Sequence, residues 1–492
     1  MASRRKNILI LLSMSYLLAI PYMGFAQEKD TIMLRFKGRW DNDKLKSLGT
    51  QTFSSLWGWT APDKREYAIM GSIDSIYFIE ITDSEKPVLR DAEAGRYNRC
   101  IHREFKTYKN YCYAVADEGP SSLQIFDMQY LPDSVHKVYD SDTLSTRAHN
   151  LFIDNDKLYL ADNKVITVAG SNSPSVAFYT LVVASLQNPE NPVKLSHLEP
   201  AIVNDEFIHA EVHDIFVRND TAYCSNGNYG LFIYNYKDPQ KPKLIASIQP
   251  PYPDHGYNHS SWLSADGNTM VFADENHGKQ LKLYDVSALK TNQPERLEYL
   301  SKMGSNANKG SIAHNSFIKG NLVYASYYHD GVVVFDISDP DKPKLLAKGD
   351  TYPANDTLSD LSKRYYSYEG CWNVYPFFPS GNIIASDMTN GLFVMRLDTI
   401  HLENKTSIAE NKVQVVNPFR ENLDIKINAA EAGEWQLELL DVTGHILINQ
   451  KIHFPAGSHS FKIPANSGFR NGMYVLRVKS SQKSEVIKLI HL

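Results

Sequence analysis

What the sequence lacks narrows it first. It has four cysteines in 492 residues, Cys100, Cys112, Cys224 and Cys371, and their spacing fits no zinc knuckle. An even count in an exported chain permits two disulfides with three connectivities. Buried free thiols are the other reading. There is no long run of one charge beyond the first few residues, and the formal net charge is −5. That distribution favours neither nucleic acid nor an anionic membrane surface as a partner. No Gly-rich phosphate loop opens a helix, no His-Glu-x-x-His occurs, and no Gly-x-Ser-x-Gly occurs. With helical patterns nearly absent, a hydrolase of the nucleophile-elbow type is excluded. Apart from Ile8 to Ile20, no segment is apolar and long enough to suggest a bilayer crossing.

What is present begins with an export signal. Arg4, Arg5 and Lys6 precede that apolar stretch, and Gly24-Phe25-Ala26 places small residues where a signal peptidase reads them. Residues 1–26 are therefore expected to be a signal peptide cleaved before Gln27, leaving no transmembrane anchor in the mature chain. No lipobox cysteine accompanies it. The remainder has ordinary globular composition, 43% hydrophobic and 22% charged, with material for a large core.

A short apolar strand recurs, starting at Ile76, Leu123, Leu181, Leu231, Leu281, Val332 and Leu392. Examples are Leu123-Gln124-Ile125-Phe126-Asp127 and Val332-Val333-Val334-Phe335-Asp336. Three copies run on into a Pro-containing turn, such as Asp238-Pro239-Gln240-Lys241-Pro242 and Asp339-Pro340-Asp341-Lys342-Pro343. Two strands precede each copy and one follows the turn, as Lys344-Leu345-Leu346-Ala347 does. Four strands rich in β-branched and aromatic residues per roughly 50 residues, seven times over, predict a β-propeller. The last unit has three strands, and Thr31-Ile32-Met33-Leu34-Arg35-Phe36 reads as a lone strand that would complete it. Beyond a polar linker at 401–412, strict alternation in segments such as Leu423-Asp424-Ile425-Lys426-Ile427 indicates a second module. The expected fold is all-β: a seven-bladed β-propeller over 27–400 followed by a small C-terminal β-sandwich over 413–492.

Two resemblances follow. Val416-Asn417-Pro418-Phe419, Leu440-Asp441-Val442-Thr443-Gly444, Gly472-Met473-Tyr474-Val475-Leu476 and Lys488-Leu489-Ile490 stand in that order at the C-terminus. The module resembles the type A sorting domain of the type IX secretion system. That implies the secretion machinery as a partner and export across both membranes to the cell surface or the medium. The ending His491-Leu492 departs from the basic residue that closes many members. Residues from about 50 to 397 resemble the LVIVD-repeat proteins of the choice-of-anchor B group. The carrying segments include Trp57-Gly58-Trp59, His149-Asn150-Leu151-Phe152-Ile153-Asp154, His213-Asp214-Ile215, His259-Ser260-Ser261-Trp262-Leu263 and Ala273-Asp274-Glu275, with His314-Asn315-Ser316-Phe317. This second resemblance implies fold and location but no activity.

One polar set repeats in phase with the units. A histidine stands near the start of the first strand in five of them, as His102, His149, His213, His259 and His314, with Trp57 and Trp372 at the corresponding place in the first and last. Polar clusters follow the second strand: Asp117-Glu118, Asp162, Asn226 with Asn228, Asp274-Glu275, His329-Asp330, and Asp387 with Asn390. In a four-stranded meander these places share one end of the blade, so the side chains are expected at one mouth of the central channel. Imidazole with carboxylate there can ligate a divalent metal, run acid–base chemistry, bind a glycan, peptide or protein, or simply tie blades together. The asymmetry centres on His259 with Asp274, Glu275 and His277, and on His314 with His329 and Asp330. The expected function is a secreted or cell-surface scaffold binding at that mouth; the alternative is an extracytoplasmic, metal-dependent enzyme. Trp262 and Trp372 are either core residues or sugar-stacking platforms. Asp154-Asn155-Asp156 and Asp140-Ser141-Asp142 read as turns, since neither has the glycine and distal Glu of a calcium loop.

Overall fold

The computed structural model describes residues 31–167, 175–200, 202–203, 206–207, 211–291, 296–353, 365, 367–429, 432–442, 444–455, 457–464, 469–480 and 484–492, with 401–412 excepted. The expected signal peptide and linker lie outside these residues. Two compact units emerge, one within Asp30–Ile400 and one within His401–Leu492.

The larger unit contains seven four-stranded antiparallel sheets. Their inner strands are Phe53–Thr60, Arg103–Tyr108, Asn150–Asp154, Asp214–Arg218, Asn258–Leu263, Ser316–Lys319 and Cys371–Tyr375. The first six inner strands pack each on the next, Cys371–Tyr375 packs on Leu322–Ser326 of the sixth sheet and back on Phe53–Thr60, so the arrangement closes as a β-propeller. In six sheets the chain runs outward strand by strand; in the last, the order is Cys371–Tyr375, Asn382–Asp387, Gly391–Ile400 and then Thr31–Trp40. Thr31 pairs with Ile400 and Trp40 with Leu392, so the two ends of the unit share one sheet.

Burial follows position. All seven residues of Glu66–Ser72 and all five of Leu123–Asp127 are buried, whereas the outer strand Val88–Ala94 is mostly exposed. Middle strands thus read as continuous apolar runs because both faces meet neighbouring sheets. Tyr113, Val115, Leu123 and Ile125 of the second sheet share one core with Leu158, Leu160, Val182 and Ala184 of the third. Each such Val, Leu or Ile contributes about 1.5–3 kcal/mol on burial.

The recurring Asp or Asn at the end of the third strand has a local cause. Asp127, Asn235, Asp285 and Asp336 each accept from the backbone N–H two residues on, at 2.8–2.9 Å. Asn188, Asp238 and Asp339 of the Pro-containing turns accept in the same way. These Asx turns reverse the chain into the outer strand. Gly331 shows why small residues precede the third strand: its φ is +73° and an added Cβ would stand 2.1 Å from the Gly349 carbonyl oxygen.

In every sheet the outermost pairing skips one residue of the outer strand. The skipped residues are Lys37, Arg90, Val138, Leu195, Ile245, Leu300 and Leu346. The four cysteines are free and buried. Of the two acidic triplets, Asp154-Asn155-Asp156 makes a turn, but Asp140-Ser141 belongs to the outer strand His136–Ser141. Asp140 there accepts from Ser122, Gln124 and Lys137, so strand pairing replaces the expected turn.

The smaller unit has a three-stranded sheet (Val413–Val415, Asn422–Ala429, Gly457–Pro464) and a four-stranded one (Ile446–Phe454, Gly433–Asp441, Gly472–Ser480, Ser484–His491). Leu423, Ile425, Ile427, Leu437, Leu439 and Leu476 fill one core. Asn417 of the Asn-Pro-Phe motif clasps the last strand, donating to the Lys488 carbonyl at 3.0 Å and accepting from Ile490 N–H at 2.8 Å.

Candidate functional site

The inner strands line the axis in three tiers. The first is a closed wheel of six aromatic rings. Going round it, centroid separations are 6.3 Å for His102–His149, 4.0 Å for His149–His213, 4.7 Å for His213–His259, and 4.2 Å for His259–His314. Trp372 closes the circle at 4.7 Å from His314 and 5.2 Å from His102. His259 and His314 are 3% exposed; the other three imidazoles are half-buried.

Most of these rings are held through Nδ1. His102 Nδ1 lies 2.5 Å from Glu118 and His149 Nδ1 lies 2.6 Å from Asp117. His213 Nδ1 meets the Tyr257 hydroxyl at 3.1 Å, and that phenol bonds to Glu211. His314 Nδ1 donates to the Trp372 carbonyl at 2.6 Å. His259 differs: its Nδ1 is buried and has no hydrogen-bond partner. Glu275 stands beside the wheel, 3.7 Å from His259 Nε2 and 3.8 Å from His314 Nε2, and accepts from the Tyr328 hydroxyl at 2.5 Å.

Charge is divided across the wheel. Burial disfavours the His102 cation, but hydrogen bonds to Asp117 and Glu118 outweigh it and raise its pKa to about 10. Burial together with the neighbouring imidazoles pushes His213 and His259 well below the usual histidine range. Burial takes His314 down to about 3 and the Glu275 carboxyl up to about 7. One side of the wheel is therefore cationic and carboxylate-bound, and the other presents neutral imidazoles with free lone pairs.

The second tier is polar. Glu104 accepts from Ser55 at 2.8 Å and from Trp372 Nε1 at 3.1 Å, and Asn150 donates to Asp214 at 2.7 Å. Burial raises the Asp214 carboxyl to about 7. A cavity of about 20 Å³ lies here, lined by Glu104, Lys106, Asn150, Asp214 and Asn315 among others. That is room for about one water. The third tier is aromatic and closes the axis: Trp57–Phe317 at 6.1 Å, Phe317–Trp262 at 4.9 Å, Trp262–Phe216 at 4.5 Å and Phe216–Phe152 at 5.3 Å. The Lys106 ammonium sits 4.2 Å above Trp57.

Several sequence expectations are corrected by this geometry. Trp57 is not in the wheel: it and Trp262 belong to the aromatic plug, three residues further along their strands than the wheel position. Asp274 ends its strand pointing between sheets, where it pairs with Lys282 at 2.8 Å, while Glu275, one residue later, reaches the wheel. His329 bonds the Ser367 carbonyl at 2.7 Å, Asp330 accepts from Tyr365, and His277 packs edge-on against Tyr368. Turn position carries these three to the rim. Asp117 and Glu118, from the repeating polar set, bond His149 and His102; Tyr257, Tyr328, Glu104 and Asp214 are the functional neighbours not singled out from sequence. Glu104 and Lys106 were signalled by the alternation His102, Glu104, Lys106; the two tyrosines carried no signal.

Asp387, also in the repeating polar set, is fully buried and accepts from Thr351 at 2.9 Å. Burial raises its carboxyl to about 7. An unfolded aspartate ionises near 3.9, so between pH 4 and 7 folding takes up a proton here and stability falls as pH rises. Asp387→Asn keeps the shape without the charge. Its stability relative to wild type is expected to rise by about 3 kcal/mol from pH 5 to pH 8, read by urea denaturation. A pH-independent difference refutes this.

Among solved structures, a protein from Lactobacillus plantarum is 12% identical, covering 88% of this chain and 100% of its own, with a TM-score of 0.47. The β-propeller domain of Myceliophteria thermophila Cps50 (Swd1) is 11% identical over 75% and 99%, with a TM-score of 0.46. A putative 6-phosphogluconolactonase from Bacteroides uniformis is 13% identical over 89% and 100%, with a TM-score of 0.44. No curated protein matches the sequence. No helix among the described residues is long and apolar enough to cross a membrane. Residues 417–491 match the family of the secretion system C-terminal sorting domain, a type IX export signal, and the protein is accordingly destined for the cell surface or the extracellular space.

Proposed function

We propose that this protein is an exported seven-bladed β-propeller scaffold of the LVIVD-repeat, choice-of-anchor B kind, which binds a ligand at the histidine-lined mouth of its channel. On this reading residues 1–26 are the signal peptide, 27–400 the propeller, 401–412 the linker and 413–492 a β-sandwich sorting domain. The observation that carries it is the wheel itself. Four imidazoles are braced through Nδ1, yet no hydrogen bond is made at Nε2 of His149, His213 or His314 among the described residues. The aromatic plug lies along the same inner strands, beyond the polar tier. Convergent polar groups over an apolar floor are the usual form of a binding site.

The reading is tested by the thermal stability of the purified full chain against a panel of monosaccharides, short peptides and divalent cations. A panel member present at 100 times its Kd stabilises by about 2.7 kcal/mol. At least one is expected to raise the Tm of wild type and to lose that effect in His213→Gln. A panel without effect, or a shift that survives the substitution, refutes the site. The alternative, a metal-dependent enzyme at the same wheel, additionally requires turnover.

A further inference from the structure

Resting on that reading, we infer that the ligand is a single borderline transition-metal cation, of the Zn²⁺ class, held by His149, His213 and His259. One ligand atom from each lies within 4.8 Å of the other two. His149 and His213 immediately precede their inner strands and His259 is the second residue of the next one, at the irregular pairing between Asn258 and Ser260, so three consecutive sheets bring the three rings together.

The surroundings of each ring fit ligation. A metal-bound imidazole normally gives its other N–H to a carboxylate, carbonyl or similar acceptor, which fixes the tautomer and aims the free lone pair. His149 has Asp117 in that place, and His213 has the Tyr257–Glu211 pair. His259 is buried, with Nδ1 unpaired by side chains and Nε2 3.7 Å from Glu275. Nitrogen donors suit Zn²⁺, Cu²⁺, Ni²⁺ or Co²⁺ and disfavour Ca²⁺ and Mg²⁺, which take oxygen.

A second trio, His259 with Glu275 and His314, overlaps the first. Its carboxylate already accepts from Tyr328, which favours the all-nitrogen set. Among the described residues no fourth protein ligand joins His149, His213 and His259, leaving a coordination position for water or an incoming donor.

The test is calorimetric titration of the chelator-stripped full chain with ZnCl₂ and with CaCl₂. One equivalent of Zn²⁺ is expected to bind with micromolar Kd or tighter, and Ca²⁺ not at all. His213→Gln should weaken Zn²⁺ about 100-fold or more, whereas His197→Gln, on the exposed outer strand Val193–Leu198, should change it less than about 3-fold. X-ray absorption on Zn-loaded wild type counts imidazole ligands without relying on any variant's folding. Fewer than two imidazoles, equal affinity for Ca²⁺, or loss in Glu275→Gln but not in His213→Gln overturns the assignment. If Zn²⁺ fails while a sugar or peptide stabilises through the mouth, only the metal is wrong; if nothing binds, both readings fall.

Discussion

Deleting residues 31–40 will abolish the cooperative unfolding transition of the whole propeller, not loosen one edge. That strand makes nine register pairs with Gly391–Ile400 and is the fourth strand of its sheet. Leu34, 3% exposed, packs with Val332, Val334 and Met395, which joins the sixth and last sheets. Trp40 stands 6.1 Å from Phe53 and 5.1 Å from Tyr77, which joins the last sheet to the first. Without it, two interfaces of a closed ring open together, and sheets in such a ring cannot bury their faces alone. The single substitution Leu34→Ala is expected to cost about 2–4 kcal/mol in urea denaturation. A truncated chain that melts within a few degrees of wild type would show that the ring does not depend on its terminal strand.

The next largest effect is expected at Lys282. Its ammonium and the Asp274 carboxylate are both fully buried, 2.8 Å apart. Lys282 also donates to the Gln280 carbonyl at 3.0 Å, and Asp274 accepts from Tyr252 at 3.0 Å. Removing the cation in Lys282→Met strands a carboxylate whose burial already pushes its pKa up. The loss should be about 3–5 kcal/mol, whereas Lys282→Met with Asp274→Leu should recover most of it. The comparison reads the pairing directly. If the double variant is no better than the single one, the pair is not what stabilises this sheet.

Asp274 also marks how far the sequence could be read. The four-stranded period was legible because middle strands bury both faces and so repeat as apolar runs. The sorting domain was legible because Asn417 and the last strand must recur together to clasp each other. Five histidines in phase gave the wheel's residues. Which acid serves it was not legible, because Asp274 and Glu275 are adjacent and only the pleat decides which one faces the axis. Trp57 was misassigned for a related reason: the first inner strand pairs irregularly between Phe53 and Leu56, which breaks the count from strand start to axis. Tyr257 and Tyr328 lie on segments whose approach to the wheel depends on loop geometry, which has no period.

The skipped residue in each outer strand bears on how exported copies meet one another. An open strand edge offers a row of unpaired N–H and C=O groups that a second copy can extend. An extra residue there bends and twists the edge and interrupts the row. Lys37 and Arg90 add charge at two of these places. Since all seven outer strands carry the same interruption, copies that meet outside the cell find no straight edge to zip onto.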